Sequence, residues 1–324
     1  MARMVSASTP AIFVQGLIKR FGELTAVNGL DLTVHQGECF GLLGPNGAGK
    51  TTTVEILEGL QRADDGKVEL LGMNWSQHED DLRERVGVQL QESQLYEKLT
   101  VKETVTLFRS FYKNPSSADA AIKAVDLDEK KDTWVGKLSG GQKQRVAVAT
   151  TLVADPEIFF FDEPTTGLDP TSRRGMWDVL NAIRARGKTI VLTTHYMDEA
   201  ERLCDRVAIV NRGKVIAIGT PAELIASVGG DQIIELSTEP ALTPEGLKDI
   251  PGLVGTRQSG SELRLTVKEL HTALPALLQH VQVSGAKVLH VLTRQATLED
   301  VFLNLTGQHL SGGGDDGKDK VGAA

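Results

Sequence analysis

The segment Gly44-Pro45-Asn46-Gly47-Ala48-Gly49-Lys50-Thr51 holds the residue types that chemistry on phosphate groups needs. Its glycines let the backbone curl so that successive N–H groups face one concavity, where phosphate oxygens can sit. An apolar run, Cys39–Leu43, precedes it, and a helical pattern opens at Thr51. That is the P-loop pattern in its proper setting, a strand before and a helix after. The helix start points the positive end of its dipole at the same place. Lys50 is then expected to reach the β- and γ-phosphates, with Thr51 as a Mg²⁺ ligand and Thr52 beside it at the nucleotide. A second group follows another apolar run: Ile158-Phe159-Phe160-Phe161-Asp162-Glu163. Alone, two acids at a strand end fit a surface equally well. At 112 positions after Lys50, they fit the other half of a nucleotide-hydrolysing site. Asp162 becomes a water-mediated Mg²⁺ partner, and Glu163 the general base for the water that attacks the γ-phosphate.

Between these elements lies Leu138-Ser139-Gly140-Gly141-Gln142, then Lys143-Gln144-Arg145. This resembles the signature sequence of the ATP-binding-cassette ATPases, and the order of P-loop, signature and acidic strand is that family's order. The likeness covers about residues 12–228. Gln91 matches the family's Q-loop glutamine, Asp169 in Gly167-Leu168-Asp169-Pro170 its D-loop, and His195 in Leu192-Thr193-Thr194-His195 its switch histidine. Phe21 stands where the family has an aromatic ring stacked on adenine, more often a tyrosine. The resemblance implies that His195 orients the γ-phosphate and the attacking water. It implies that Gln91 reaches Mg²⁺ or that water. Ser139-Gly140-Gly141 precedes a helical stretch, so its N–H groups and hydroxyl form another anion-binding helix start. The chain's own P-loop already fills the first phosphate site. A second such start is best explained by a phosphate held on another subunit. The resemblance implies that arrangement: two chains head to tail, with Ser139, Gly140, Gly141, Gln142 and Asp169 contacting ATP in trans.

The elements that must position these residues read as an α/β domain. Apolar segments at Val14–Leu17, Leu30–Val34, Cys39–Leu43, Val68–Leu71, Ile158–Phe161, Ile190–Thr193, Val207–Val210 and Val215–Ile218 read as strands. Helical stretches at Thr51–Leu60, Gly141–Ala154 and Ser172–Arg186 lie between several of them. Buried strands alternating with helices indicate a largely parallel sheet. Glu92–Lys137 breaks the rhythm with two or three amphipathic patterns and reads as an all-helical insertion. Beyond 228–231 the order is strand Ile233–Ser237, helix Pro244–Ile250, strands Leu253–Gln258 and Glu262–Val267, helix Lys268–Val283, strand Lys287–Thr293 and helix Leu298–Leu305. That βαββαβ order plus a helix fits a small ferredoxin-like α+β domain. The expected boundaries are a loose arm at 1–10, a nucleotide-binding domain at 11–228 with its helical part at about 92–150, a regulatory domain at 229–307 and a disordered tail at 308–324.

Composition sets the remaining limits. The chain has 324 residues, a net charge of −8 and two cysteines. The acidity argues against a broad nucleic-acid surface, and Cys39 and Cys204 sit in apolar stretches, as buried thiols in a reducing cytoplasm do. The longest unbroken apolar run is four residues, against the roughly 20 a membrane span needs. No basic and apolar leader opens the sequence. The family resemblance then implies a peripheral subunit on the cytoplasmic face of the membrane. Its partners are a second copy of itself and a separately encoded permease, with no nucleic acid. The permease would dock beside Glu92–Thr100, on Leu95 and Tyr96. Leu298–Gly307 is similar to the closing helix of bacterial drug- and antibiotic-export ATPases, which implies export of drugs, antibiotics or other hydrophobic compounds. An importer subunit is the alternative. A non-transport mechanical ATPase is the third reading, although such proteins carry a long coiled coil where this chain has no sustained heptad.

Overall fold

Apolar runs such as Cys39–Leu43 and Ile158–Phe161 offer no polar face to water, so they belong inside a sheet covered on both sides. The computed structural model describes residues 10–89, 95–227 and 232–306. The first part of the chain runs β1 (Ile12–Phe21), β2 (Leu24–Val34), β3 (Cys39–Leu43), α1 (Lys50–Leu57), β4 (Asp65–Leu70), α2 (Glu79–Arg85) and β5 (Val86–Gln89). It continues with α3 (Val101–Arg109), α4 (Ala118–Ala124), α5 (Gly140–Leu152), β6 (Ile158–Asp162), α6 (Pro170–Ala185), β7 (Thr189–Thr194), α7 (Met197–Leu203), β8 (Arg206–Asn211) and β9 (Lys214–Gly219). A six-stranded sheet has the order β5-β6-β7-β3-β8-β9. Every residue of β3, β6 and β7 is buried, and the pairs among β5, β6, β7, β3 and β8 are parallel.

One expectation changes. β1, β2 and β4 do not join the parallel sheet but form a separate antiparallel one, in the order β2-β1-β4. The cause is local. β1 and β2 are joined at Phe21↔Leu24 across Gly22-Glu23, and a two-residue hairpin can only return antiparallel. The short strand β5 and the helix α2 were not legible as elements. The two sheets share one core, in which Ile12, Leu17 and Leu30 pack with Phe40, Leu42 and Phe160. The insertion is helical as expected, with α3 packed on α4 and α5. Thr100 caps α3 through a capping box with Glu103. Among the described residues no helix is long and apolar enough to cross a membrane.

The second part holds α8 (Pro221–Ser227), β10 (Gln232–Glu239), β11 (Leu253–Ser259), β12 (Glu262–Val267), α9 (Leu270–Val283), β13 (Lys287–Gln295) and α10 (Leu298–Thr306). The chain divides into two compact units between Ile218 and Gly219, ten residues before the expected boundary. α8 packs on α10 and so belongs with the second unit. Residues 228–231 at the expected boundary, residues 1–9 of the expected arm and the tail lie outside the described residues. The strand order β11-β12-β10-β13, antiparallel throughout, is the ferredoxin-like order. The helix expected at Pro244–Ile250 is only a 3-10 turn, Pro244–Leu247. Gly246 weakens it and Pro251 follows too closely for a longer helix.

The two faces of this small sheet are held differently. Ile234, Leu236, Leu263 and Leu265 pack against Ala273, Leu277 and Val281 of α9. On the other face, Arg294 donates to Glu235 Oε1 at 3.0 Å and to both Asp300 oxygens at 2.6 and 2.9 Å. Arg264 lies 3.1 Å from the same Glu235 oxygen. Burial pushes the Asp300 carboxyl up, but the Arg294 bonds and the Thr297 amide outweigh it and hold the group below its ordinary value. A lowered carboxyl stabilises the fold above its unfolded value and loses that contribution as pH falls through the folded one. Arg294→Met should therefore lower the unfolding free energy of this unit by about 2 kcal/mol near neutral pH, because Asp300 then keeps only the more distant Arg264 guanidinium, 3.7 Å away, and the Thr297 donors. Denaturant unfolding of the full chain at pH 7 measures the loss, and the wild-type advantage should shrink below about pH 4.

Candidate functional site

The site begins with strand register. In the parallel sheet Leu43 pairs with Thr194, and Asp162 with Thr193. The residues that follow β3, β6 and β7 therefore leave the same sheet edge side by side. The loop after β3 needs its glycines. Gly44 has φ +156, and a Cβ there would meet the Val210 carbonyl at 2.2 Å. Gly49 has φ +99, and a Cβ would meet the Ala26 carbonyl at 2.4 Å. Gly49 is also the residue before α1, so the first amides of that helix open toward the loop.

A cavity of about 720 Å³ lies over this edge. It brings together nine of the predicted residues: Phe21, Asn46, Gly47, Gly49, Lys50, Thr51, Thr52, Glu163 and His195. Gly44, Pro45 and Ala48 form the underside of the same loop, and Asp162 ends β6. Leu24, Thr25, Ala26 and Arg212 also line the cavity and were not foreseen; no motif marks them. Phe21 stands exposed at the rim, with the Lys19 ammonium 5.3 Å from its ring centre. The lining thus includes an exposed aromatic ring as well as the loop after β3.

The charged groups are tied down. Lys50 is buried, and its ammonium donates to the Gly44 and Pro45 carbonyls at 2.8 and 3.1 Å. Burial lowers its pKa, while Glu163 and Asp162 oppose that. Burial raises Asp162, against a hydrogen bond from the Thr193 hydroxyl. Thr193 Oγ1 also accepts the Glu163 N–H at 3.0 Å. Glu163 itself adopts φ +46, a left-handed backbone that a non-glycine residue keeps only when its surroundings impose it. That turn brings Glu163 Oε1 to 3.2 Å from His195 Nδ1, while the Thr166 hydroxyl donates to Oε2 at 3.0 Å. With its proton on Nδ1, the His195 ring leaves Nε2 as an acceptor. The arrangement can hold a triphosphate on backbone amides and present a carboxylate and an imidazole to its last phosphorus. The donor set near the phosphates, a threonine hydroxyl and a carboxylate, consists of hard oxygens. That suits Mg²⁺, which takes one or two protein oxygens and completes its shell with phosphates and water.

The other predicted residues do not line this cavity. Ser139 is exposed and caps α5, accepting the Gln142 N–H at 3.3 Å while the Gln142 side chain accepts the Ser139 N–H at 3.0 Å. Gly140 is exposed at the same helix start. Gly141 is buried, and a Cβ there would lie 2.6 Å from Ser172 Oγ. Asp169 caps α6 through the Thr171 and Ser172 amides at 3.0 and 3.1 Å. Its carboxyl is held down by the Ser172 hydroxyl first and then by these amides. Gln91 lies outside the described residues. Residues 92–94 of the docking segment expected at Glu92–Thr100 lie outside the described residues. A second cavity of about 640 Å³ is lined by Glu58, Leu60, Trp75, Val88, Phe111 and Tyr112 among others. Tyr96 is exposed, but neither it nor Leu95 lines that cavity.

Comparison with known proteins adds to this geometry. Residues 27–166 match the family model described as ABC transporter, and residues 219–306 match the C-terminal domain of DrrA1-3-like ATP-binding proteins. The chain is 44% identical over 298 residues to the Nod factor export ATP-binding protein I of Burkholderia lata, covering 90% of this chain and 95% of that one. It is 40% identical over 316 residues to the protein of the same description in Ralstonia nicotianae, covering 94% and 96%. Among solved structures, cbiO1 from Clostridium perfringens, part of the ABC transporter complex cbiONQ, superposes with a TM-score of 0.62 at 30% identity, over 67% of this chain and 91% of that one. A dimeric ATP-binding cassette in a post-hydrolysis state with ADP and phosphate bound gives 0.58 at 27% identity, over 64% and 98%.

Glu58, at the end of α1, was not singled out by any motif. Its Oε1 is buried and has no hydrogen-bond partner among the described residues. Burial, with Asp162 and Glu55 adding to it, pushes its carboxyl up to about 8. The folded chain then binds more protons than the unfolded one between the ordinary value of 4.5 and about 8, so stability falls as pH rises through that window. Glu58→Gln, uncharged at every pH, should raise the unfolding free energy by about 2 kcal/mol at pH 8.5 and change it little near pH 5. Thermal unfolding of both chains at the two pH values is the measurement.

Proposed function

This chain belongs to the ABC transporter ATPases, with a DrrA-like C-terminal domain, and from that premise we propose how its site works and what it serves. Such a subunit hydrolyses ATP to drive transport. We assign the adenine platform to Phe21 and the phosphates to residues 44–52, with Lys50 on the β- and γ-phosphates. Glu163 takes the proton from the attacking water. His195 presents Nε2 as an acceptor to that water and so orients it; a hydrogen bond to a γ-phosphate oxygen would need a proton on Nε2 as well. The observation that carries this assignment is the meeting of Lys50, Glu163 and His195 in one cavity. Thr51, Asp162 and Gln91 would hold Mg²⁺, which draws charge from the phosphate oxygens when bound. Each chain closes on a second copy, so that Ser139, Gly140, Gly141, Gln142 and Asp169 meet the opposite ATP.

The work is export through a separate permease, with this chain on the cytoplasmic face of the membrane. Two relatives aligned over nine-tenths or more of the chain, C-terminal domain included, are described as export ATP-binding proteins. We place the permease contact at the groove of Leu60, Trp75 and Phe111 rather than at Tyr96. That groove lies beside β5, immediately before the segment that carries Gln91. The cargo class is a hydrophobic or amphiphilic compound, a drug or antibiotic being the case the C-terminal domain suggests.

Glu163→Gln should keep ATP bound while phosphate release falls by about 10²–10⁴-fold. Wild-type turnover in that variant would remove the base assignment. Leu60→Asp with Phe111→Asp changes two exposed side chains. The isolated chain should hydrolyse ATP at its usual rate, while recovery of the co-expressed permease on an affinity tag drops at least about tenfold. Undiminished recovery would move the docking site elsewhere.

A further inference from the structure

A carboxylate contact on one side does not fix an imidazole plane, because the ring can still turn about its side-chain torsions. His195 has that contact, from Nδ1 to Glu163 at 3.2 Å. It also has a second one, from outside the cavity lining. Tyr196 follows it, and the two rings lie with centroids 4.1 Å apart at 41°. The Tyr196 N–H donates to Thr194 Oγ1 at 3.0 Å, which fixes the turn that sets one ring against the other. The Arg173 guanidinium in turn lies over the Tyr196 ring, 4.2 Å from its centroid.

Arg173 is not explained by the hydrolysis machinery. Its Nε is buried without a hydrogen-bond partner, and among the described residues its side chain forms no ion pair. A half-buried guanidinium with no carboxylate is held by what its flat face meets, here the π-face of Tyr196. Arg173 also stands one turn into α6, where its N–H donates to the Asp169 carbonyl at 2.9 Å.

We propose that Tyr196 and Arg173 are positioning residues for His195: the Tyr196 ring braces the imidazole, and Arg173 pins that ring to the first turn of α6. Neither lines the cavity. Their effect is to keep Nδ1 turned to Glu163 and Nε2 turned to the cavity. The orientation of the histidine is thereby tied to the helix that Asp169 caps. The proposal rests on the roles given above to His195 and Glu163.

The test is steady-state ATPase activity of the full chain, with ATP binding and thermal unfolding measured on every variant. Tyr196→Ala and Arg173→Met should each lower kcat about tenfold and leave KM for ATP within about twofold. Tyr196→Phe keeps the ring and should recover most of kcat. Tyr196→Leu, which fills the volume without a π-face, should not, and it replaces the alanine variant if that one does not fold. Arg174→Met, at the exposed neighbouring position, should leave kcat unchanged. In a His195→Ala background, neither Tyr196→Ala nor Arg173→Met should reduce the residual rate further. A residue that only supports the fold would lower it again and would shift the unfolding midpoint in step, and that result overturns the proposal. Unchanged kcat in both single variants overturns it as well. If His195→Ala or Glu163→Gln itself turns over at the wild-type rate, the underlying site assignment fails, a different result from failure of the brace alone.

Discussion

Parallel pairing of β6, β7 and β3 is the constraint on which the site depends. A one-residue slip would turn every side chain of a strand to the opposite face. Here the slip is blocked by strands buried on both faces, and the register is closed at its end by one side chain. Thr193 of β7 uses both capacities of its hydroxyl: it donates to Asp162 and accepts the Glu163 N–H. The two acids leave β6 in opposite roles because of that stitch. Asp162 stays in the strand, buried and bonded to Thr193. Glu163 turns through φ +46 toward His195.

The electrostatics of this edge follow from burial more than from pairing. Asp162 and Glu58 are both raised by burial, with Asp162 adding to the rise at Glu58 and Glu163 adding to the rise at Asp162. Lys50 is lowered by burial although two carboxylates act on it. A triphosphate adds further negative charge to an edge that is already short of cations. Backbone amides can meet part of that, since they carry partial positive charge with no desolvated ion. The rest calls for Lys50 and a divalent cation. The P-loop's shape and the hard-oxygen donors beside it answer the same problem.

How much of this was legible depends on the kind of signal. The P-loop, the acidic strand end and the switch histidine are readable because each needs particular residue types in sequence order, and Gly44 and Gly49 occupy backbone positions closed to other residues. The parallel strands were readable from unbroken apolar runs. The antiparallel β1-β2-β4 sheet was not, because a half-buried strand looks alike in either sheet and only the turn at Gly22 decides. β5 is four residues long, too short for any period to show. Glu58 meets Asp162, Arg212 meets the P-loop cavity, and Arg173 meets Tyr196, each across a long stretch of chain, and no local pattern encodes such meetings. The cavity of Leu60, Trp75 and Phe111 is assembled in the same way, from α2, β5 and the segments that follow α1 and α3, so no one stretch of sequence marks it.

The exposed start of α5 is where the single chain points beyond itself. Its own phosphate cavity is lined without Ser139, Gly140, Gly141, Gln142 or Asp169. Yet Ser139 and Gly140 stand in solvent at a helix start whose free amides favour an anion. A chain with one phosphate cradle and one separate anion-binding start fits the proposed pairing with a copy of itself, in which each start would meet the other's cradle. A two-fold axis does this twice at once, which is the isologous geometry that closes without growing further. The relative solved as a dimer with ADP and phosphate shows that cassettes of this fold pair. If the pair closes as proposed, α6 lies between two demands: its cap at Asp169 faces the opposite subunit, and Arg173 one turn later holds the ring that braces His195. Closure at the seam and alignment of the histidine would then depend on the same turn of helix.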